Sequence, residues 1–93
     1  MNCKAKGSRN ERKTIRMLEA LGYRCMKAAA SLSVFDIIGI GQADVLCIQV
    51  KSNEWPRTAE MAELAAFPVP PNVRKLVHCW KDRARAPDVR EIS

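Results

Sequence analysis

The stretch that most limits how this chain can fold is Val34 to Lys51, read Val-Phe-Asp-Ile-Ile-Gly-Ile-Gly-Gln-Ala-Asp-Val-Leu-Cys-Ile-Gln-Val-Lys. Two runs rich in Ile and Val flank Gly41-Gln42-Ala43-Asp44, a short polar connection of the kind that joins antiparallel strands, so the stretch reads as a β-hairpin. A turn centred between Gln42 and Ala43 sets Ile40 opposite Val45, Ile38 opposite Cys47 and Asp36 opposite Gln49. Side chains alternate along a strand, which puts Gln49 and Lys51 on one face, and opposed Cβ atoms lie roughly 4.5–5.5 Å apart. Asp36, Gln49 and Lys51 are therefore expected to converge, with Phe35, Ile37, Leu46, Ile48 and Val50 pointing the other way. A carboxylate, an amide oxygen and an ammonium on otherwise apolar strands are costly to bury without a use. A structural Asp–Lys ion pair at the end of the hairpin is the plain alternative.

The chain has 93 residues, the size of one domain, 1–93, with a modest core that dimerisation would help to complete. Its formal charge is +6, and the distribution matters more than the size. Residues 1–27 hold eight Lys and Arg against Glu11 and Glu19, whereas residues 28–93 hold eight of each sign. Such an asymmetry favours a polyanionic partner, nucleic acid before membrane, because no apolar stripe accompanies the charge. A merely solvated basic face is the alternative. Cys3, Cys25, Cys47 and Cys79 are too widely spaced for a zinc or redox motif. Cys25, Cys47 and Cys79 fall in strand-like runs, where a free thiol behaves as a small hydrophobe, and this fits a reducing cytoplasm. Neither a membrane span nor a signal peptide is expected.

Residues 1–7 form a basic arm, expected to be mobile. Ser8-Arg9-Asn10-Glu11 has the pattern of a capping box, which predicts a helix from there to about Leu21 with Gly22 as its stop. Ile15, Leu18 and either Leu21 or Gly22 continue the stripe on which Glu11 lies, so Glu11 belongs to the inward face. It either closes the capping box or reaches the polar patch of the hairpin. Tyr23 to Ala28 reads as a first strand, and Ala29 to Ser33 as a loop. A polar loop with one aromatic, Trp55, follows the hairpin. Thr58 then caps a short helix holding Met61, Leu64 and Ala65, which the prolines at 68, 70 and 71 end. Val73 to Trp80 has β character, Lys81 to Pro87 is a basic turn, and Val89 to Ile92 adds a short edge strand. The order is α-β-β-β-α-β, an α/β core with a mixed sheet flanked by helices. His78 and Trp55 read as packed residues, the first in the core and the second at its edge or in a subunit interface, rather than as a ligand and a base-stacking platform.

In Glu11, Asp36 and Gln49-Val50-Lys51 the chain resembles the PD-(D/E)xK nuclease superfamily. Within it, the resemblance is closest to the small Holliday-junction resolvases of archaea and their viruses. In that group a basic segment with Gly, Ser and Glu opens the first helix, a Ser precedes an Asp-Ile-Ile strand, and an acid-x-Lys strand follows. Here these stand as Lys6-Gly7-Ser8-Arg9-Asn10-Glu11, Ser31-Leu32-Ser33, Asp36-Ile37-Ile38 and Gln49-Val50-Lys51. The resemblance covers residues 6–52, and beyond that only the order of elements. Two positions depart from the pattern: Phe35 replaces the Pro before the Asp, and Gln49 replaces the acid of acid-x-Lys. Gln offers one neutral carbonyl oxygen where Glu offers a charge, so the site should hold a divalent ion more weakly.

The resemblance implies a restriction-endonuclease-like fold and a metal-dependent, structure-selective DNA endonuclease acting as a homodimer on branched DNA such as a four-way junction. Hydrolysis of a phosphodiester needs a cation on the non-bridging oxygens and an activated in-line water. Asp36 and Glu11, with Gln49 and the Val50 carbonyl, can supply oxygen ligands to Mg²⁺, for which Mn²⁺ can substitute. Lys51 can orient or help deprotonate the water, or neutralise developing charge, and Ser31 or Ser33 can hydrogen-bond a phosphate. Lys4, Lys6, Arg9, Arg12, Lys13 and Arg16 are the expected DNA-binding residues, gripping phosphates without reading bases. Two rivals stand beside this reading: a catalytically silent nucleic-acid-binding module of the same fold, and a nuclease of that fold that nicks or cuts at specific sites.

Overall fold

The computed structural model describes residues 3–28 and 34–92, with side chains from residue 7 onward. In chain order the elements are α1 (Cys3–Ala20), β1 (Arg24–Lys27), β2 (Ile37–Ile40), β3 (Val45–Ser52), α2 (Thr58–Ala66), β4 (Val73–Trp80) and β5 (Asp88–Ile92). They form one mixed sheet in the order β1-β2-β3-β4-β5. Only β3 and β4 run parallel, joined through α2; the other neighbours are antiparallel.

The two helices cover opposite faces of the sheet, and each face has its own core. Leu18 of α1 packs with Ile37, Leu46, Ile48 and Leu76. Leu64 of α2 packs with Cys47, Val77, Ile92 and Phe35. The central strands β3 and β4 are buried on both faces, which is why Val45–Ile48 and Leu76–Trp80 read as near-continuous apolar runs. Within them Lys75 is 6% exposed. Its ammonium donates to the carbonyls of Leu64 (2.8 Å), Ala65 (2.9 Å) and Phe67 (3.0 Å), closing the carboxyl end of α2 where Pro68 prevents further turns.

Helix α1 differs from the sequence expectation at its start. It is already helical at Cys3, so Ser8 lies inside the helix rather than capping it. With no proline in residues 3–8, the segment continues the helix that follows it, at the modest cost of Gly7. The buried stripe also runs one residue out of the expected phase, through Asn10, Thr14 and Leu18, while Leu21 is 68% exposed. Asn10 and Thr14 can be buried because each has a partner. The Asn10 amide donates to Ser52 Oγ (2.6 Å), and the Trp80 indole N–H donates to Thr14 Oγ1 (2.8 Å). At the far end Gly22 takes φ +98°, with Tyr23 N–H to Leu18 O and Gly22 N–H to Glu19 O at 3.0 Å, a Schellman closure. Thr58 is the first helical residue of α2, not its cap; Arg57 holds that place, and its N–H donates to the Glu60 carboxylate (3.2 Å).

Candidate active site

The hairpin has the register read from its sequence over most of its length, with Ile40 opposite Val45 and Ile38 opposite Cys47. At its open end the register breaks. Ile37 pairs with Ile48, yet the Asp36 N–H also bonds the Ile48 carbonyl (2.8 Å), so two residues of one strand face one of the other. This is a β-bulge, a device that re-aims a side chain beside a site. It has two consequences that correct the simple pairing. Asp36 does not sit squarely opposite Gln49. Phe35 also changes face, joining Cys47, Leu64 and Val77 in the α2 core instead of following Ile37, with its ring edge-on to Phe67 at 5.2 Å.

The bulge turns the Asp36 carboxylate onto β3, where Oδ2 accepts the Val50 N–H at 2.7 Å. Its bonds to Ile48 and Val50 thus bracket Gln49. Burial pushes the Asp36 carboxyl above the usual carboxylate range, and the Val50 hydrogen bond and the Lys51 charge offset this only in part. Gln49 Oε1 is buried with no hydrogen-bond partner. Lys51 Nζ lies 3.5 Å from Glu60 Oε2 of α2, and the Arg57 N–H holds the Glu60 carboxyl below its ordinary range.

The structure therefore brings the Asp36 carboxylate to the Val50 N–H and within reach of the Lys51 charge, with Gln49 directly before Val50 on β3. Glu11 is placed differently: its Oε1 stands 3.7 Å from Lys27 Nζ on β1, the strand next to β2. With Ser8 inside the helix, the capping role is gone. Ser31 and Ser33 lie outside the described residues. Of the basic residues, Arg9, Arg12 and Arg16 are exposed and Lys13 is half-buried, while the side chains of Lys4 and Lys6 are outside the description. Glu60 was missed in the sequence, because only the fold carries the first turn of α2 onto Lys51. The Glu three residues after Arg57 was the available signal.

Among the described residues no group of three or more His, Cys, Asp or Glu stands ready to hold a metal. The oxygens that are present nonetheless suit a hard cation. A desolvated carboxylate and an unpartnered buried amide oxygen both gain from one, and Mg²⁺ binds through one or two protein oxygens while keeping several waters. His78 takes no part; it is 1% exposed, with Nδ1 3.3 Å from Thr14 Oγ1, and burial lowers its pKa to about 4. Trp55 packs at the edge of the α2 core under the Arg90 guanidinium, 4.1 Å from the ring centroid. Cys25, Cys47 and Cys79 are free thiols, the latter two buried. No helix among the described residues is long and apolar enough to cross a membrane.

Comparison with known proteins identifies a family and a similar fold. Residues 2–61 match the family model described as archaeal Holliday junction resolvase (Hjc). The fold is similar to a solved Hjc, a Holliday junction resolvase from the archaeal hyperthermophile Archaeoglobus fulgidus. The TM-score is 0.70 at 25% sequence identity, over 94% of this chain and 71% of that one. No curated protein sequence matches.

Proposed function

Because this chain belongs to the archaeal Holliday junction resolvase (Hjc) family, we propose that it is a structure-selective endonuclease that hydrolyses phosphodiester bonds in branched DNA, with Mg²⁺ as its ion, a four-way junction as its substrate and a homodimer as its acting form. The observation that carries the site assignment is the unpartnered, buried amide oxygen of Gln49, the residue before Val50, whose N–H holds the desolvated Asp36 carboxylate. Such a pair is unfavourable by itself and is compensated by a cation.

Asp36, Gln49 and the Val50 carbonyl would hold the ion. When bound, it supplies positive charge to the non-bridging phosphate oxygens and acidifies a coordinated water. The chain does the rest. The Val50 N–H fixes one Asp36 oxygen and leaves the other free to bind. Lys51, steadied by Glu60, orients the attacking water or offsets charge developing on the phosphate. Glu11, now in a loose 3.7 Å pair with Lys27, would add a second carboxylate to the ion's ligands. Ser31 and Ser33 are proposed phosphate contacts on their place in the chain alone. Arg9, Arg12, Lys13 and Arg16, with Lys4 and Lys6, hold DNA by its phosphates. Two symmetric cuts call for two sites related by a two-fold axis, hence the dimer. Free buried thiols accord with work in a reducing cytoplasm.

The neutral Gln49 favours one rival, a binding module that no longer cuts. A labelled four-way junction and a linear duplex, each incubated with Mg²⁺ or EDTA, separate the two readings. Paired nicks in the junction alone, and only with Mg²⁺, are expected. Tight binding without cleavage, in Mn²⁺ as well as Mg²⁺, would establish the rival instead.

A further inference from the structure

On the flank of α1 away from Glu11, a cleft of about 490 Å³ is lined by Lys13, Arg16, Met17, Trp80, Ala84 and Arg85. Met17, Trp80 and Ala84 make an apolar floor; Lys13, Arg16 and Arg85 bring three cations and no acid lines it. The supports are rigid. The Lys13 ammonium lies 5.3 Å from the Trp80 ring centroid, and that ring is pinned by its N–H to Thr14. The turn carrying Ala84 and Arg85 is tied down by Asn53, whose Oδ1 accepts the Asp82 N–H (2.9 Å) and whose carbonyl accepts Lys81 Nζ (3.2 Å). A cation already held in place, as Lys13 is, loses less freedom when it meets an anion.

We infer that this cleft grips the sugar–phosphate backbone of one arm of the DNA substrate, with Lys13, Arg16 and Arg85 on phosphates and the apolar floor against deoxyribose. The inference rests on the DNA-cleaving reading above and deepens it by assigning where an arm is held. Trp80 pairs with Ser52 across β3 and β4, and Asp36 bonds β3 from its other side. The cleft and the candidate site thus lie on neighbouring strands, with Trp80 one register position beyond Lys51. Trp80, Ala84 and Arg85 lie beyond residues 2–61, so this grip involves a part of the chain outside the family match.

The test is the salt dependence of four-way-junction binding by the full chain in EDTA, read by fluorescence anisotropy, for the wild type, Arg85→Ala, Arg16→Ala and Arg24→Ala. Arg24 is an exposed cation on the opposite edge strand and controls for loss of charge alone. Arg85→Ala and Arg16→Ala are each expected to weaken binding about tenfold and to flatten the slope of log K against log salt by about 0.9, one phosphate contact. Unchanged thermal melting will exclude misfolding, and Lys13→Gln supplies a further variant should one of them fail to fold. An Arg85→Ala slope equal to wild type, or an equal loss in Arg24→Ala, would overturn the cleft as the grip. If the wild type binds the junction but never cuts it, the enzymatic reading fails while this one stands; absence of any binding sinks both.

Discussion

Gln49→Met separates stability from function at the site. The wild-type amide oxygen is a buried acceptor with no donor, and a polar group left in that state costs about 1–3 kcal/mol. Methionine has similar length and bulk and asks for no hydrogen bond, and volume-conserving swaps are well tolerated. The metal-free variant should therefore be more stable than wild type by about 1–2 kcal/mol, a large share of the roughly 5–15 kcal/mol that holds a domain together. For a domain of this size that raises Tm by about 5–10 °C. Adding Mg²⁺ should narrow the difference. An ion at 100 times its Kd stabilises the form that binds it by about 2.7 kcal/mol, and Met at position 49 removes one of its oxygens. Urea unfolding in EDTA and in excess Mg²⁺ gives all four stabilities. Two results would refute the reasoning: a Gln49→Met protein less stable than wild type in EDTA by 1 kcal/mol or more, or an identical Mg²⁺ gain in both proteins.

Lys75→Met leaves three carbonyls at the end of α2 without their donor, so thermal melting should show a loss of about 3 kcal/mol and a fall in Tm of about 15 °C. His78 has a folded pKa depressed from 6.5 to about 4, so between those values the unfolded chain binds a proton that the folded chain refuses. Stability should then fall by about 3 kcal/mol as pH drops from 6.5 to 4, and His78→Gln should flatten that part of a urea-denaturation pH profile. Glu60→Gln frees Lys51 from its 3.5 Å ion pair; single-turnover cleavage should slow several-fold with junction affinity unchanged, whereas an unaltered rate would remove Glu60 from any role in positioning.

The sequence revealed the hairpin because apolar alternation and a short polar turn both specify its register, and Tyr23 reinforces that turn by packing on Gly41 and donating to Asp44 at 2.7 Å. The same alternation put Asp36 near β3, where it does meet the Val50 N–H, although not squarely opposite Gln49. The bulge was not legible: it trades one ladder position for the Val50 contact and for Phe35 in the α2 core, both of which depend on elements distant in the chain. Nor were the buried polar residues of α1. Asn10 and Thr14 find their partners only in Ser52 and Trp80, far along the chain. The capping pattern at Ser8 misled because local capping chemistry only selects a helix start when something stops the helix from extending further back. The burial of Lys75 is explained only by the carbonyls at the end of α2 that its ammonium satisfies.

The central claim is that Asp36 and its neighbours on β3 form the metal-holding, phosphodiester-cutting site. Its most direct test is strand cleavage of an end-labelled four-way junction by wild type and Asp36→Asn at saturating protein across a Mg²⁺ series, with complex formation followed in Ca²⁺. Wild type should nick two opposed strands in a Mg²⁺-dependent way, and Asp36→Asn should bind as tightly and cut neither. An Asp36→Asn protein that cleaves at the wild-type rate would contradict the account.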